Sequence, residues 1–342
     1  MSNVVPTLSA IVVAHHRPRL LGKCIESLLV QSEPLLEIVV VLNDAGRETE
    51  LVAEEHAAAD SRVKLLRCAR VSASEARNQG VALARGDLLY FLDDDVEVPP
   101  SGVAALLRVY GSRPGIGIVG GPNLTHPDDP EFSQLTGELL GSMWGTGIAR
   151  SRYTKRPPRA ATERHLILCN LAVHRSVFEE GARFPLHFGG EENALMGSAD
   201  ARGHTLWYSP DVWVYHHRRG SLREYIPQIL RYGRGRAIAL GSAPRTFHPA
   251  YFVPVLFLGY LASLPVLAFF TPAAWLPLGA YCLGTVVASL KIAVVRRKPA
   301  WIVALPPLFL LTHVLYATGL LRGLLWGPRS GAPSTATRPA AS

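Results

Sequence analysis

Three consecutive carboxylates, Asp93-Asp94-Asp95, close the apolar run DLLYFL at 87–92. Like charges set side by side repel one another, and nothing in packing asks for three of them. In an extended backbone Asp93 and Asp95 point to one side of the chain and Asp94 to the other. Two carboxylates converging with a diphosphate suit a hard divalent ion, Mg2+ or Mn2+, which prefers oxygen ligands. A solvated acidic turn is the bland alternative. Further groups able to do chemistry stand in adjacent pairs: His15-His16, Glu191-Glu192 and His216-His217.

The elements that must position these groups read from hydrophobic period. LSAIVVA (8–14), EIVVVL (37–42), VKLLR (63–67) and DLLYFL (87–92) are short β-branched or apolar runs that predict buried strands. Between them the apolar residues recur at helical spacing, as at Leu20, Leu21, Cys24, Ile25, Leu28 and Leu29, then near 47–58 and over 73–84. This βαβα alternation predicts a parallel sheet covered on both faces. Such sheets bind ligands at the carboxyl ends of their strands. Asp93-Asp94-Asp95 falls at the end of the fourth. Beyond it, 121–165 is Gly-, Pro-, Arg- and Thr-rich with weak periodicity, an irregular and mobile covering loop. A strand and turn follow at 165–175, a loop leading into a helix at 189–203 and an edge strand at 205–217.

Charge divides the chain. All 27 Asp and Glu lie at or before Glu224, whereas eleven of the 35 Lys and Arg lie beyond it, so residues 1–224 carry a net of about −3 and the basicity belongs to the C-terminal third. There it flanks apolar segments, a pattern that fits anionic lipid rather than nucleic acid. From Thr246 to Leu290 no Asp, Glu, Lys or Arg occurs over 45 positions. A membrane-spanning helix needs about 20 residues, so this stretch predicts two spans with a turn near Thr271-Pro272. A basic loop (Arg296, Arg297, Lys298) precedes a third apolar run from Trp301 to Leu321, interrupted by Pro306-Pro307 as a kinked span or re-entrant segment. Arg231, Arg234, Arg236 and Arg245 fall on the same side as that loop, which puts the N-terminal region in the cytoplasm and the chain in the cytoplasmic (inner) membrane as a multi-pass protein. The expected organisation is a catalytic domain at 1–237, a membrane region at 238–329 and a disordered tail at 330–342. Four scattered cysteines without metal-ligand spacing read as reduced thiols.

The place of the carboxylates narrows the chemistry. A haloacid-dehalogenase-type phosphatase would carry its Asp pair after the first strand, where this chain has AHHRP. A nucleotidyltransferase wants a Gly-rich phosphate loop there, and a Rossmann dehydrogenase wants GxGxxG. None is present. The ordered series SAIVVAHHRPRLLGKCIESLLVQ, EIVVVLND, SEARNQGVALARGDLLYFLDDD, CNLAVHR, GGEENAL and VYHH resembles glycosyltransferase family 2, with its GT-A (Rossmann-like nucleotide-diphospho-sugar transferase) fold, from Leu8 to about Ala237. QILRY (228–232) resembles the QxxRW motif of membrane-bound members, with Tyr for Trp. With GGPN (120–123) and the apolar segments, the chain looks most like glucosyltransferases of succinoglycan-type exopolysaccharide pathways.

The resemblance implies an inverting transfer of sugar from a nucleotide-sugar donor to a lipid-linked saccharide or polyprenyl-phosphate acceptor, with membrane lipids as surroundings and no nucleic acid. A catalytically silent GT-A scaffold subunit is the alternative of a different class. The implied residues are Asp93 and Asp95, with His216 (or His217), for the metal. Asn43, Asp44, Arg77, Asn78, Asp93, Asp94 and Arg231 are those for the donor, and Asn170, Gln228 and Tyr232 those for the acceptor. Glu192 or its neighbour Glu191 is the general base. Two departures from the family pattern stand out. Glu192 replaces the usual Asp, and Leu42 takes a usual Asp place, which leaves base recognition to Asn43 or Asp44 and the nucleotide open among uridine, thymidine and guanosine.

Overall fold

A computed structural model describes residues 6–113, 115–185, 190–242 and 247–326. Arg245, Gly189 of the GGEENAL motif and the expected tail at 330–342 lie outside them. The first half alternates β1 (Leu8–Ala14), α1 (Pro18–Leu29), β2 (Glu37–Asn43), α2 (Arg47–Ala59), β3 (Val63–Cys68), α3 (Ala73–Leu83) and β4 (Leu88–Asp93), each within a residue or two of its predicted place. β5 (Val96–Glu97), α4 (Gly102–Ser112), β6 (Ile116–Gly120), β7 (Asn123–Thr125), α5 (Glu131–Gly141), α6 (Met143–Thr146) and β8 (Arg159–Ala160) come next. Then follow β9 (Asn170–His174), α7 (Arg175–Glu179), α8 (Glu191–Ala201), β10 (Thr205–Tyr208), β11 (Val214–His216) and α9 (Leu222–Ser242). The chain ends in α10 (Val253–Phe270), α11 (Leu276–Arg296) and α12 (Trp301–Trp326).

The main sheet has the order β3-β2-β1-β4-β9-β6-β10-β8. Strands β1 to β4 are parallel, as the alternation predicts, but β9 runs antiparallel to both β4 and β6, so the sheet is mixed. Alternation along β1 sends Ala10, Val12 and Ala14 to the face covered by α1, and Ile11 to the face covered by α3 and α8; all are at most 1% exposed. Each large apolar side chain buried this way contributes about 1.5–3 kcal/mol. The strand order reverses between β1 and β4, and this reversal opens a crevice beyond their carboxyl ends. Val13 pairs with Asp93 across it.

Two expected segments differ. The stretch 205–217 is no edge strand. The turn at Ser209-Pro210 splits it into β10, which lies inside the main sheet, and β11, the centre of a small sheet of order β5-β11-β7. The stretch 121–165 is organised rather than irregular. Its helix α5 escaped notice because Leu135, Leu139 and Leu140 pack against α9 and α12 instead of the sheet, with glycines diluting the period.

Three C-terminal helices are long and apolar enough to cross a membrane, at 249–270, 272–296 and 301–326. α12 runs through Pro306-Pro307 unbroken. It packs along α9 at backbone contact. A Cβ on Gly319 would lie 2.2 Å from the Leu230 carbonyl oxygen, and one on Gly233 2.2 Å from that of Tyr316. Small residues four apart on both helices (Gly319/Gly323 and Gly233/Ala237) permit this approach, as they do between helices in lipid. The expected division at 237 therefore falls inside α9. The basic loop sits against α5, where Arg296 pairs with Glu138, and Lys298 lies 3.5 Å from Glu131.

Candidate active site

Asp93 is the last residue of β4, whereas Asp94 and Asp95 form a turn into β5. The alternation expected of an extended strand does not hold here, and the three carboxylates are sorted differently. Asp94 and Asp95 are 4% and 3% exposed and share one partner, Arg17, from the loop after β1. The Arg17 guanidinium lies 3.1 Å from Asp94 Oδ1 and pairs closely with Asp95. The His15 backbone N–H donates to Asp94 Oδ2 at 3.1 Å. Asp93 has a different partner, the Arg77 guanidinium at 3.2 Å.

Burial and Asp95's charge push the Asp94 carboxyl up to about 6, against the opposing pull of Arg17. Burial would raise Asp95 too, but the His216 ring and Arg17 hold it well below the usual carboxylate range. His216 arrives from β11, where it pairs with Val96 of β5, placing its Nε2 3.2 Å from Asp95 Oδ1 without hydrogen-bond geometry. Asp95 Oδ1 and His216 Nδ1 are both buried with no hydrogen-bond partner among the described residues. Such orphaned atoms cost about 1–3 kcal/mol each unless a ligand satisfies them. Next to them, one donor atom each of Asp93, Cys169 and His216 lies within 4.8 Å of the others. Asp93, Asp95 and His216, the residues implied for the metal, are brought together.

His217 is directed elsewhere. Its Nδ1 lies 2.6 Å from Asp129 and its Nε2 2.7 Å from Glu97, and these bonds, Asp129's first, raise its pKa against the effect of burial.

Arg77 spans from Asp93 to Glu191, whose carboxylate is 3.6 Å from the guanidinium. Glu191 and Glu192 occupy the first turn of α8, where the helix dipole favours negative charge. Gly190 precedes them at φ +75°, and a Cβ there would lie 2.7 Å from that of Ala239, so only glycine lets α8 start against α9. Glu192 makes no ion pair with any described residue, and its field reaches Tyr153. Tyr232 is 38% exposed, yet burial pushes its phenol up, with Tyr153, Cys169 and Arg219 all within electrostatic range. Gln228 donates to the Tyr232 hydroxyl at 3.1 Å.

Other expected site residues are placed differently. The Asn170 side chain is fully buried, accepting from Tyr90 Oη at 2.7 Å and donating to the Val212 carbonyl at 2.9 Å. The Asn78 amide is committed to the Phe184 backbone in both directions. Arg231 lines a separate cavity of about 390 Å³ between α9 and α12, with Arg234, Arg322 and Trp326. Asn43 holds the Val71 backbone through both ends of its amide, while the exposed Asp44 sits beside it at φ +51°. The sequence reading missed Arg17, Cys169 and Arg219. Position alone could have found the first, since it directly follows β1 at the crevice.

A sheet reversing at β1/β4, with carboxylates at that reversal and a glutamate pair facing them, defines the GT-A class of nucleotide-diphospho-sugar transferases. The glycosyl transferase family 2 model matches residues 9–181, and the chain belongs to that family of glycosyltransferases. Among curated relatives, succinoglycan biosynthesis protein ExoM of Rhizobium meliloti (strain 1021) is 27% identical over 245 residues, 67% of this chain and 74% of ExoM. EpsH of Bacillus subtilis (strain 168) is 29% identical over 108 residues, 32% of this chain, and the match spans only 31% of EpsH. Among solved structures, the mannosyltransferase PcManGT of Pyrobaculum calidifontis, in complex with GDP-Man and Mn2+, shares the fold at TM-score 0.60 and 18% identity, over 94% of this chain and 88% of that one.

Proposed function

We propose that the chain transfers a sugar, with inversion, from a nucleotide-sugar to a lipid-linked saccharide at the cytoplasmic face of the inner membrane. The observation that carries this reading is Arg77, which ties the carboxylate at the strand reversal (Asp93) to the glutamate pair at the head of α8. The donor's diphosphate belongs at the first end and an acceptor hydroxyl at the second. Asp93, Asp95 and His216 fit a divalent ion, Mg2+ or Mn2+, because two of their buried atoms make no hydrogen bond among the described residues and their donor set is oxygen and nitrogen. Bound there, the ion would neutralise charge developing on the leaving diphosphate.

Arg17 fixes Asp94 and Asp95 in the turn, and Arg77 holds Asp93 toward the crevice. Asp44 and Asn43, at the end of β2, are the residues assigned to the nucleotide base, Asp44 with its side chain exposed. Glu192, free of ion pairs with described residues and within electrostatic range of Tyr153, is the group to take the acceptor proton. Tyr232 and Gln228 lie on α9, which packs on α12, so the acceptor side of the site borders the apolar helices. A lipid-linked acceptor fits that border, and the similarity to ExoM, a succinoglycan biosynthesis protein, supports a role in polysaccharide synthesis.

Incubating membranes that contain the protein with radiolabelled nucleotide-sugars and lipid extract should label an oligosaccharide lipid. No labelling with any donor would overturn the reading. Glu192→Gln separates acceptors, because a polyprenyl phosphate is already ionised and needs no base. Loss of about 10²–10⁴-fold in kcat supports a hydroxyl acceptor; unchanged kcat assigns a phosphate.

A further inference from the structure

Cys169 stands just before β9, 3% exposed, at the floor of the crevice. Its Sγ, an Asp93 oxygen and a His216 ring nitrogen lie within 4.8 Å of one another. A divalent ion about 2.3 Å from sulfur and about 2.0–2.2 Å from nitrogen or oxygen holds such atoms no more than about 4.5 Å apart, so small side-chain rotations bring the three onto one centre. The polar surroundings treat the sulfur as an acceptor. Arg218 donates to Asn123 Oδ1 at 3.0 Å, which turns the Asn123 amide so that Nδ2 donates to Cys169 Sγ at 3.2 Å. Hydrogen bonds that orient a ligand atom from behind are what supporting residues of metal sites supply. Independently of the cysteine, the 3%-exposed Asp95 offers Oδ1, and His216 offers Nδ1, with no hydrogen-bond partner among the described residues. Buried polar atoms without partners, beside a thiol with a donor aimed at it, mark a ligand site.

We propose that Cys169 is a sulfur ligand of the divalent ion held by Asp93 and His216, making this a mixed oxygen–nitrogen–sulfur site. The proposal rests on the reading of Asp93 and His216 as metal ligands given above. On binding, the thiol proton leaves to water and the sulfur ligates as thiolate. Thiolate favours softer ions, so the site takes Zn2+, Co2+ and Cd2+ more tightly than Mg2+, and a bound ion shields Cys169 from thiol reagents.

The test uses the full-length protein in detergent, titrated with Cd2+, alone and with UDP or GDP, while the ultraviolet sulfur-to-metal charge-transfer band is recorded. Mn2+ binding is followed in parallel by electron paramagnetic resonance. A Cys68→Ser/Cys282→Ser background removes the two cysteines outside the core. In that background a band saturating at one equivalent is expected. Cys169→Ser should abolish it and weaken Cd2+ binding about 10–100-fold while Mn2+ binding persists, and Asp93→Asn should remove both. A band that survives Cys169→Ser, or Mn2+ binding with no sulfur band in the parent protein, overturns the proposal and leaves the metal site standing. Failure of the parent protein to bind either ion, with or without nucleotide, overturns the metal site and the proposal with it.

Discussion

His216 and His217 are neighbours in the chain, and each ends in a cluster of carboxylates, but the two clusters are finished to different degrees. Around His217 every charge is met from within. Both ring nitrogens have a carboxylate, Glu97 and Asp129, and Lys23 lies 3.3 Å from Glu97. His126 stacks on the ring of His217, and its Nδ1 accepts the Asp128 N–H. Glu97, His126 and His217 also lie at distances that could bind a metal, yet they already form a closed network. Around His216 two buried atoms have no hydrogen bond among the described residues, and Asp93 is left facing the crevice. The same residue types thus build a strut in one place and a site in the other. What separates them is bonding capacity left over, which is a property of the fold and not of composition.

Breaking the open cluster should cost activity. Asp93→Asn is expected to lower kcat by about 10²–10³-fold, the loss seen when one charge-stabilising group is removed from a transition state, with little change in melting temperature. A loss under about tenfold would break the contrast. Breaking the closed cluster should cost stability instead. His217→Gln forfeits hydrogen bonds to two charged partners, about 1.5–3 kcal/mol each at most, and should lower the melting temperature while transfer rates stay within a few-fold. If His217→Gln abolished transfer without destabilising the protein, the assignments of the two histidines would be reversed.

The closed cluster also predicts a pH dependence. The folded-state pKa of His217 is raised above its ordinary value of about 6.5. Its stabilising contribution is therefore complete below about pH 6.5 and is lost as pH rises through the raised value. Melting temperatures measured between about pH 6 and about pH 9 should fall more steeply for the wild type than for His217→Gln; parallel slopes would contradict this. The smallest effect is expected away from both clusters. Gly319→Ala places a methyl against the Leu230 carbonyl and should destabilise the α9–α12 contact by about 1–3 kcal/mol, read as a lower melting temperature, with the affinity for donor unchanged.

Much of this is legible in the sequence. β1 to β4 announce themselves because buried parallel strands are short, β-branched and punctuated, and the apolar helices because charge is missing for 45 residues. That the carboxylates end the fourth strand follows from the same pattern, whereas the reversal between β1 and β4 is seen only in the fold. What was not legible depends on contacts across long separations. Arg17 meets Asp94 and Asp95 from nearly 80 residues away, and Cys169 joins Asp93 only because β9 inserts antiparallel beside β4. The choice between His216 and His217 needs the register of β11 on β5, since a shift of one residue would exchange their faces. Asn170 was chosen by motif and proves to be a buried brace, because a motif does not reveal whether an amide's bonds are already spent.

The sequence divides the three carboxylates as Asp93 and Asp95 against Asp94, whereas the fold pairs Asp93 with Arg77 and holds Asp94 and Asp95 by Arg17. The most direct test of the account is calorimetric binding of UDP-, dTDP- and GDP-sugars to the wild type, Asp93→Asn and His217→Gln, each with Mn2+ and with chelator. One donor class is expected to bind the wild type and His217→Gln only when Mn2+ is present, and not to bind Asp93→Asn. Donor binding that survives both the chelator and Asp93→Asn would contradict the claim that this carboxylate holds the nucleotide-sugar through a metal.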